Sequence, residues 1–246
     1  MPPENTDYGL GEVQAQVKRV PNLFLLDTSG SMKMETEDPD GNRRQKIDLL
    51  NEGLEWFSED IGDDFETREG VDVSVITFGG GVSVEQEFRP VKEWVEGEGP
   101  PLLSAGGQTP MCEAITRGLT NLNEYKSEVD NNNLGRHRAM VWLLTDGRPD
   151  QTSGNDWDAA QQSVEAFTQN DSIFFWGVGI GDDADTDTLR NLVAGCPGPA
   201  TDVFNLGRGR FNEFFKRASA SATGASKGRG EESASEFSEE FSEEYL

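Results

Sequence analysis

The sequence predicts a doubly wound α/β fold, in which a mostly parallel six-stranded sheet carries helices on both faces. Three uninterrupted apolar runs, at residues 23–26, 139–144 and 173–178, are typical of parallel strands buried on both faces. Helical stretches alternate with them along the chain. A glycine triplet at 79–81 joins two further β runs, which indicates a hairpin and one antiparallel edge strand. Counted in chain order, we expect the strand order 3-2-1-4-5-6, with strand 3 antiparallel.

The remaining elements follow from local patterns. Residues 71–78 alternate apolar and polar side chains at period two, residues 82–88 form the second hairpin strand, and residues 202–204 form a short last strand. The helix between the hairpin and the fourth strand is predicted to have Thr109 as its N-cap and Pro110 in its first position. Helical periodicity predicts the other helices at 46–61, 156–170, 185–194 and 211 to about 220.

The composition is strongly acidic. The 246 residues carry a formal net charge of −25, which argues against nucleic acid and against an anionic membrane as partners. Acidic residues spread along the whole chain, as in proteins adapted to high salt, where charge repulsion is screened. We therefore expect a protein from a halophilic archaeon, with an ordinary acidic cytosolic protein as the alternative.

The cysteines and the chain start indicate a cytoplasmic protein. Cys112 and Cys196 match neither a metal-binding nor a CxxC spacing, so free thiols in a reducing compartment are expected. The chain does not open on a signal-peptide pattern, and none of its apolar runs approaches the roughly 20 residues of a membrane span.

Composition divides the chain into a polar segment at 1–19, one domain at 20–220 and a tail at 221–246. The tail is rich in Ser and Glu and ends in a near-repeat of Phe-Ser-Glu-Glu, which predicts disorder. A partner groove that folds the tail into a helix is the alternative to a purely solvating tail. Its aromatic residues lie at i, i+4 and i+8: Phe237, Phe241 and Tyr245.

Oxygen-bearing side chains follow two strands that are predicted to be neighbours. Asp27 comes directly after the first apolar run and is followed by Ser29 and Ser31, and Asp146 ends the fourth strand. The carboxyl ends of strands 1 and 4 meet at the switch point of such sheets, where ligands bind. A set of carboxylates and hydroxyls, without imidazole or thiolate, suits a hard cation such as Mg²⁺.

Asp27-x-Ser29-x-Ser31, with Thr109 and Asp146, resembles the metal-ion-dependent adhesion site (MIDAS) of von Willebrand factor A (vWA) domains. Each piece alone is an ordinary turn or cap, but together they are specific, and the resemblance covers about residues 18–220. It implies a Rossmann-like vWA domain. Finer motifs are similar to the intracellular TerY and YegL proteins of the tellurium-resistance type, at residues 26–32, 51–54, 76–80, 106–111, 144–147 and 179–184.

The resemblance implies a metal site and a function. Ser29 and Ser31 would bind Mg²⁺ directly, Thr109 directly or through water, and Asp27 and Asp146 chiefly through water; Mn²⁺ is an alternative metal. An open position on the metal would take an Asp or Glu carboxylate from a protein partner. The resemblance thus implies a non-catalytic, Mg²⁺-dependent protein-interaction module. It would be a scaffold or adaptor in a stress-response or phospho-signalling system, with a protein kinase or phosphatase as candidate partner.

Two enzymatic alternatives remain. A metal-dependent hydrolase or phosphatase would use Asp27 as nucleophile or Mg²⁺ to activate water. The single histidine, His137, starts the fourth strand at the end away from the aspartates, which disfavours acid–base chemistry there. A dinucleotide-binding enzyme is disfavoured by the place of the glycine-rich stretch at 177–181, which follows the fifth strand. The GxGxxG fingerprint of dinucleotide-binding domains follows the first strand.

An insertion at 34–44 follows the serines and looks longer than is usual in the family. Its polar composition predicts a solvated loop. Residues 38–42 vaguely resemble a calcium loop, but the liganding Glu that should close such a loop is missing.

Overall fold

The structure, a computed structural model, describes residues 17–244 except Pro39, Asp171, Asp183, Pro199, Arg208 and Gly209, and it leaves the side chains of 240–244 undescribed. The predictions for residues 1–16 and for Tyr245 lie outside these residues. The strands are β1 (Val20–Asp27), β2 (Glu35–Glu37), β3 (Arg43–Gln45), β4 (Val71–Phe78), β5 (Val82–Pro90), β6 (Ala139–Thr145), β7 (Ile173–Ile180) and β8 (Thr201–Leu206). The helices are α1 (Lys46–Gly62), α2 (Phe65–Gly70), α3 (Lys92–Glu96), α4 (Met111–Asn131), α5 (Asn155–Gln169), α6 (Thr186–Leu192), α7 (Phe211–Ser226) and α8 (Gly230–Glu244), with a 3₁₀ turn at Gly30–Lys33.

Six strands form the central sheet in the order β5-β4-β1-β6-β7-β8. Counted over these six, this is the predicted order 3-2-1-4-5-6. The neighbours pair in parallel, except that β5 runs antiparallel to β4 at the edge. The predicted fold class is therefore confirmed, and β1 lies between β4 and β6 at the centre of the sheet.

The strands have a core on each face, because successive side chains of a strand point to opposite faces. In β1, Leu23 and Leu25 belong to one buried cluster and Phe24 and Leu26 to the other. The first cluster contains apolar residues of α4, α5 and α6, and the second contains those of α1, α7 and α8. Burial on both faces explains why the central strands read as continuous apolar runs.

The described residues of the insertion at 34–44 are solvated, as predicted, but the insertion is not a loop throughout. Its two ends form β2 and most of β3, which pair antiparallel as a separate two-stranded sheet. Arg44 is anchored to helix α1 by a bidentate ion pair with Glu52, at 2.8 and 2.5 Å. The polar composition hid this hairpin, since its stability comes from strand pairing and ion pairs rather than from an apolar face.

Two smaller local predictions also need correction. Thr109 is not the N-cap of α4: the helix begins at Met111, and Pro110 is the capping residue, without a side-chain cap bond. The short helices α2 and α3 fall in stretches where no helix was predicted.

The predicted disorder of the tail is wrong for residues 221–244. Helix α7 continues to Ser226, and α8 follows after a short turn. Phe237 is buried against Trp142 and Trp176, with ring centroids 5.0 and 5.1 Å apart. Ser238 accepts a hydrogen bond from the indole N–H of Trp176 at 3.2 Å. Composition predicted disorder because α8 is mostly Ser and Glu. The Phe237 ring and the Ser238 hydroxyl nevertheless pack α8 against the core of the domain.

We expect the Phe237→Ala substitution to lower the free energy of unfolding by about 3 kcal/mol, because it leaves a cavity among aromatic rings. Urea denaturation followed by tryptophan fluorescence measures this loss. Glu239→Ala, on an exposed position of the same helix, is the matched control and should stay within about 0.5 kcal/mol of wild type. Equal stability of all three proteins would contradict the docking of α8.

Candidate metal centre

Two carboxylates meet at the carboxyl edge of the sheet. Asp27 is the last residue of β1, and Asp146 directly follows β6. These strands pair in parallel, with Leu26 opposite Leu144. The register therefore brings the two strand ends, and their carboxylates, to the same point between the central strands.

Asp27 is held rigidly in the protein interior. Its Oδ1 accepts a hydrogen bond from the backbone N–H of Ser29 at 2.7 Å, and its Oδ2 accepts one from the Thr145 hydroxyl at 2.6 Å. The residue is 0% exposed. Burial raises the pKa of the Asp27 carboxyl, and the nearby charge of Asp146 adds to the rise, while the bonds from Ser29 and Thr145 oppose it.

The two serines connect to the second carboxylate. The chain turns after β1 into the 3₁₀ segment, where the N–H of Met32 bonds to the carbonyl of Ser29. This turn places the Ser29 and Ser31 hydroxyls 3.0 Å apart. The Ser31 hydroxyl donates to Asp146 Oδ1 at 2.6 Å. Serine, serine and aspartate thus form one continuous polar chain.

The loop that carries Thr109 is bonded to the turn after β1. Gly30 N–H donates to the Gly107 carbonyl at 3.0 Å, and Gly106 N–H donates to the Thr28 carbonyl at 2.7 Å. Gly107 has φ +84°, and a Cβ there would lie 2.3 Å from the Cα of Gly80, so only glycine allows this approach. Asp150 holds the backbone of Thr109 by two hydrogen bonds. The Asp150 N–H donates to the Thr109 carbonyl at 3.0 Å, and the Thr109 N–H donates to the Asp150 carboxylate at 3.1 Å.

A buried lysine completes the cluster. Lys46, the first residue of α1, is 5% exposed. Its Nζ lies 2.8 Å from Asp146 Oδ2. Asp146 therefore has one oxygen on a serine hydroxyl and the other on an ammonium group.

Four of the five residues that the sequence predicted for the site lie at this strand edge. Asp27, Ser29, Ser31 and Asp146 share hydrogen bonds or a common strand edge. Thr109 belongs to the loop that is bonded to the turn after β1 through Gly106 and Gly107, and its own backbone bonds go to Asp150 and Met111. Sequence reasoning missed three supporting residues: Thr145, Asp150 and Lys46. Thr145 lies within a quoted motif, whereas a lysine at a helix start carries no distinguishing signal.

The donor set suits a hard divalent cation, since every side-chain donor of the five is an oxygen. Within the described part of the chain, no group of three or more His, Cys, Asp and Glu side chains could hold a metal ion. A metal at this edge would therefore depend on the hydroxyls as well as on the two carboxylates.

The single histidine and the glycine-rich stretch bear on the enzymatic alternatives. His137 precedes β6, at the opposite end of the strand from Asp146. Gly177 and Gly179 lie inside β7, which pairs on both sides, so they do not form a phosphate-binding turn. None of the described helices is long and apolar enough to cross a membrane.

The sequence matches the model of the von Willebrand factor type A domain over residues 23–217. The chain belongs to this family. The resemblance inferred from the MIDAS-type motif is thereby confirmed at the family level. A search of curated proteins by sequence returned no match.

Solved structures are similar to this vWA chain at low sequence identity. The PilB minor pilin of Streptococcus sanguinis is 15% identical with a TM-score of 0.57, over 89% of this chain and 63% of the pilin. The conserved hypothetical protein BatB of Bacteroides thetaiotaomicron is 16% identical with a TM-score of 0.55, over 85% of this chain and 99% of BatB. Proximal thread matrix protein 1 of the mussel byssus is 16% identical with a TM-score of 0.54, over 85% of this chain and 49% of that protein. At such identities the similarity shows the fold.

We expect Thr145→Val to lower the free energy of unfolding by about 1–3 kcal/mol in EDTA, because it leaves one oxygen of the buried Asp27 carboxylate without its donor. Thr120→Val is the control, since the Thr120 hydroxyl lies on the exposed face of α4. Chemical denaturation of the three proteins checks the difference. If Thr145→Val is no less stable than the control, the hydroxyl does not support Asp27.

Proposed function

We propose that this vWA domain is a non-catalytic, divalent-metal-dependent protein-interaction module. The observation that carries the proposal is the convergence of the Ser29 and Ser31 hydroxyls with the Asp146 carboxylate in one hydrogen-bonded chain at the carboxyl edge of the sheet. An edge of this kind is where ligands bind in open α/β sheets.

In this proposal the five residues have distinct roles toward Mg²⁺, with Mn²⁺ as the alternative. Ser29 and Ser31 bind the ion directly, and Thr109 binds it directly or through water. Asp27 and Asp146 act chiefly through water and supply the negative charge. When bound, the ion supplies a Lewis-acidic position for an anionic oxygen ligand. The residues of the chain hold the ion and orient the groups around it. The burial of Asp27 keeps that carboxylate away from bulk water.

The proposed ligand is an Asp or Glu carboxylate of a protein partner. Neutral hydroxyls in direct contact leave most of the charge of a bound cation uncompensated, which favours one more anionic oxygen. A partner carboxylate of this kind would link the two proteins only while the metal is present. The net charge of −25 makes nucleic acid and anionic membranes poor alternatives.

The hydrolase alternative is disfavoured by the environment of Asp27. A nucleophilic carboxylate must present an oxygen to its substrate, but Asp27 is 0% exposed and both of its oxygens accept hydrogen bonds. We therefore propose that the protein is not an enzyme at this edge. Asp27 instead fixes the turn that carries the two serines.

The biological setting follows from the sequence motifs and composition alone. We propose that the chain belongs to the TerY/YegL-like, tellurium-resistance branch and acts in the cytoplasm of a halophilic archaeon. There it would be a scaffold or adaptor in a stress-response or phospho-signalling system, with a protein kinase or phosphatase as candidate partner.

We expect Mg²⁺ and Mn²⁺ to bind the wild-type protein, and to bind Ser29→Ala/Ser31→Ala at least about tenfold more weakly. Removing even a residue that contacts a metal ligand, rather than the metal, often lowers metal affinity by this factor. Isothermal titration calorimetry at constant salt measures both affinities. Ser83→Ala/Ser153→Ala, at two exposed serines, is the matched control and should bind like wild type. Equal heats from all three proteins would exclude this metal site.

We expect partner capture to require the metal. Immobilised wild type, incubated with lysate at high salt and Mg²⁺, should retain proteins that EDTA releases and that Ser29→Ala/Ser31→Ala does not retain. Mass spectrometry of the EDTA eluate identifies them. Capture of the same proteins with EDTA present would mean that the interaction does not run through the metal.

A further inference from the structure

Lys46 is a charged group at the metal centre that the five predicted site residues do not include. Its Nζ lies 2.8 Å from Asp146 Oδ2, and the two side chains are only 6% and 0% exposed. An ion pair so far removed from water is screened weakly. Its charge therefore acts on whatever binds beside Asp146.

The fold fixes the position of this lysine from two sides. Its backbone N–H bonds to the Met34 carbonyl at 3.1 Å, which ties the start of α1 to the β2–β3 hairpin. On the other side, Gly181 has φ +91°, and a Cβ there would lie 3.3 Å from both Cε and Nζ of Lys46. The ammonium group is thus confined between Asp146 and the turn that follows β7.

Lys46 also borders a cleft between the hairpin and the turn after β7. The cleft has a volume of about 720 Å³, and its other charged lining residues are Glu35, Glu37, Arg43 and Asp182. These charges have mixed signs and lie toward the hairpin and the β7–α6 turn. Asp146 is the partner that Lys46 contacts directly.

We infer that Lys46 sets the charge of the metal centre so that its metal-loaded form prefers an anionic ligand. The inference rests on the proposed function and names a residue that determines ligand specificity there. Lys46 is a positioning and charge-setting residue, because it acts through Asp146 and through the field at the site.

Charge counting gives the direction of the effect. With Asp27 and Asp146 ionised, Lys46 leaves the empty centre with one net negative charge. A divalent cation then makes the centre singly positive, and one carboxylate neutralises it. Without Lys46, the metal-loaded centre is already neutral, and a carboxylate would add an uncompensated negative charge in a poorly solvated place.

Lys46 therefore has opposite effects on two equilibria. It weakens metal binding, because it repels the cation and occupies one oxygen of Asp146. It strengthens carboxylate binding, because the loaded centre keeps a positive charge. A residue with only a structural role would move both affinities in the same direction when removed.

The test compares Lys46→Met and Lys46→Gln with wild type. Free Mn²⁺ is followed by electron paramagnetic resonance, and sodium acetate is then titrated into the Mn²⁺-loaded protein while water-proton relaxation is measured at constant ionic strength. Both variants should bind Mn²⁺ about tenfold more tightly and acetate about tenfold more weakly, as expected for one nearby charge in a partly screened site. Lys33→Met removes the same charge from an exposed position near the serines and should change neither constant beyond about twofold.

The outcomes separate the two proposals. A wild-type chain that binds no Mn²⁺ overturns the proposed function, and the role of Lys46 with it. The role of Lys46 alone is overturned by another set of results. In that set, wild type binds Mn²⁺ and Ser29→Ala/Ser31→Ala does not, but the Lys46 variants leave the Mn²⁺ or the acetate affinity unchanged or weaken both. If thermal unfolding shows that Lys46→Met does not fold, Lys46→Gln decides, because its amide can still donate to Asp146.

Discussion

The burial of two neighbouring carboxylates is the constraint on which this structure depends. Asp27 and Asp146 stand at adjacent strand ends, and both are buried. Charges held there require compensation, and the surrounding elements provide it. Asp27 accepts hydrogen bonds from a hydroxyl of β6 and from an N–H of the turn after β1. Asp146 accepts them from a serine hydroxyl and from a lysine ammonium group. The loops at this edge are arranged around those bonds.

The same arrangement fixes the polar groups of this edge relative to one another. Its parts come from distant segments, since Thr145 and Asp27 are 118 residues apart in the chain, yet parallel pairing of β1 and β6 fixes their relative positions. The glycine loop before α4 then contacts the turn after β1 through two backbone bonds. Groups fixed in this way lose little freedom when a ligand binds, which favours affinity.

Sequence reasoning succeeded where one physical signal dominated. The buried strands were predictable because burial on both faces selects continuous apolar runs, and the carboxyl-edge rule then placed Asp27 and Asp146 together. It failed where stability comes from tertiary contacts. The β2–β3 hairpin has no apolar face, α8 has a disordered composition, and Lys46 looks like an ordinary helix start. Only packing shows that Phe237 fills the core and that Lys46 reaches Asp146.

Helix α8 changes what counts as one folding unit in this chain. The family match ends at residue 217, but the ring of Phe237 lies among Trp142, Trp176 and Phe204. A fragment cut at the family boundary would leave those rings facing water, and such an apolar patch promotes self-association. The evolutionary module and the physical module therefore differ in length, and the extra helix forms part of the hydrophobic core rather than an appendage to it.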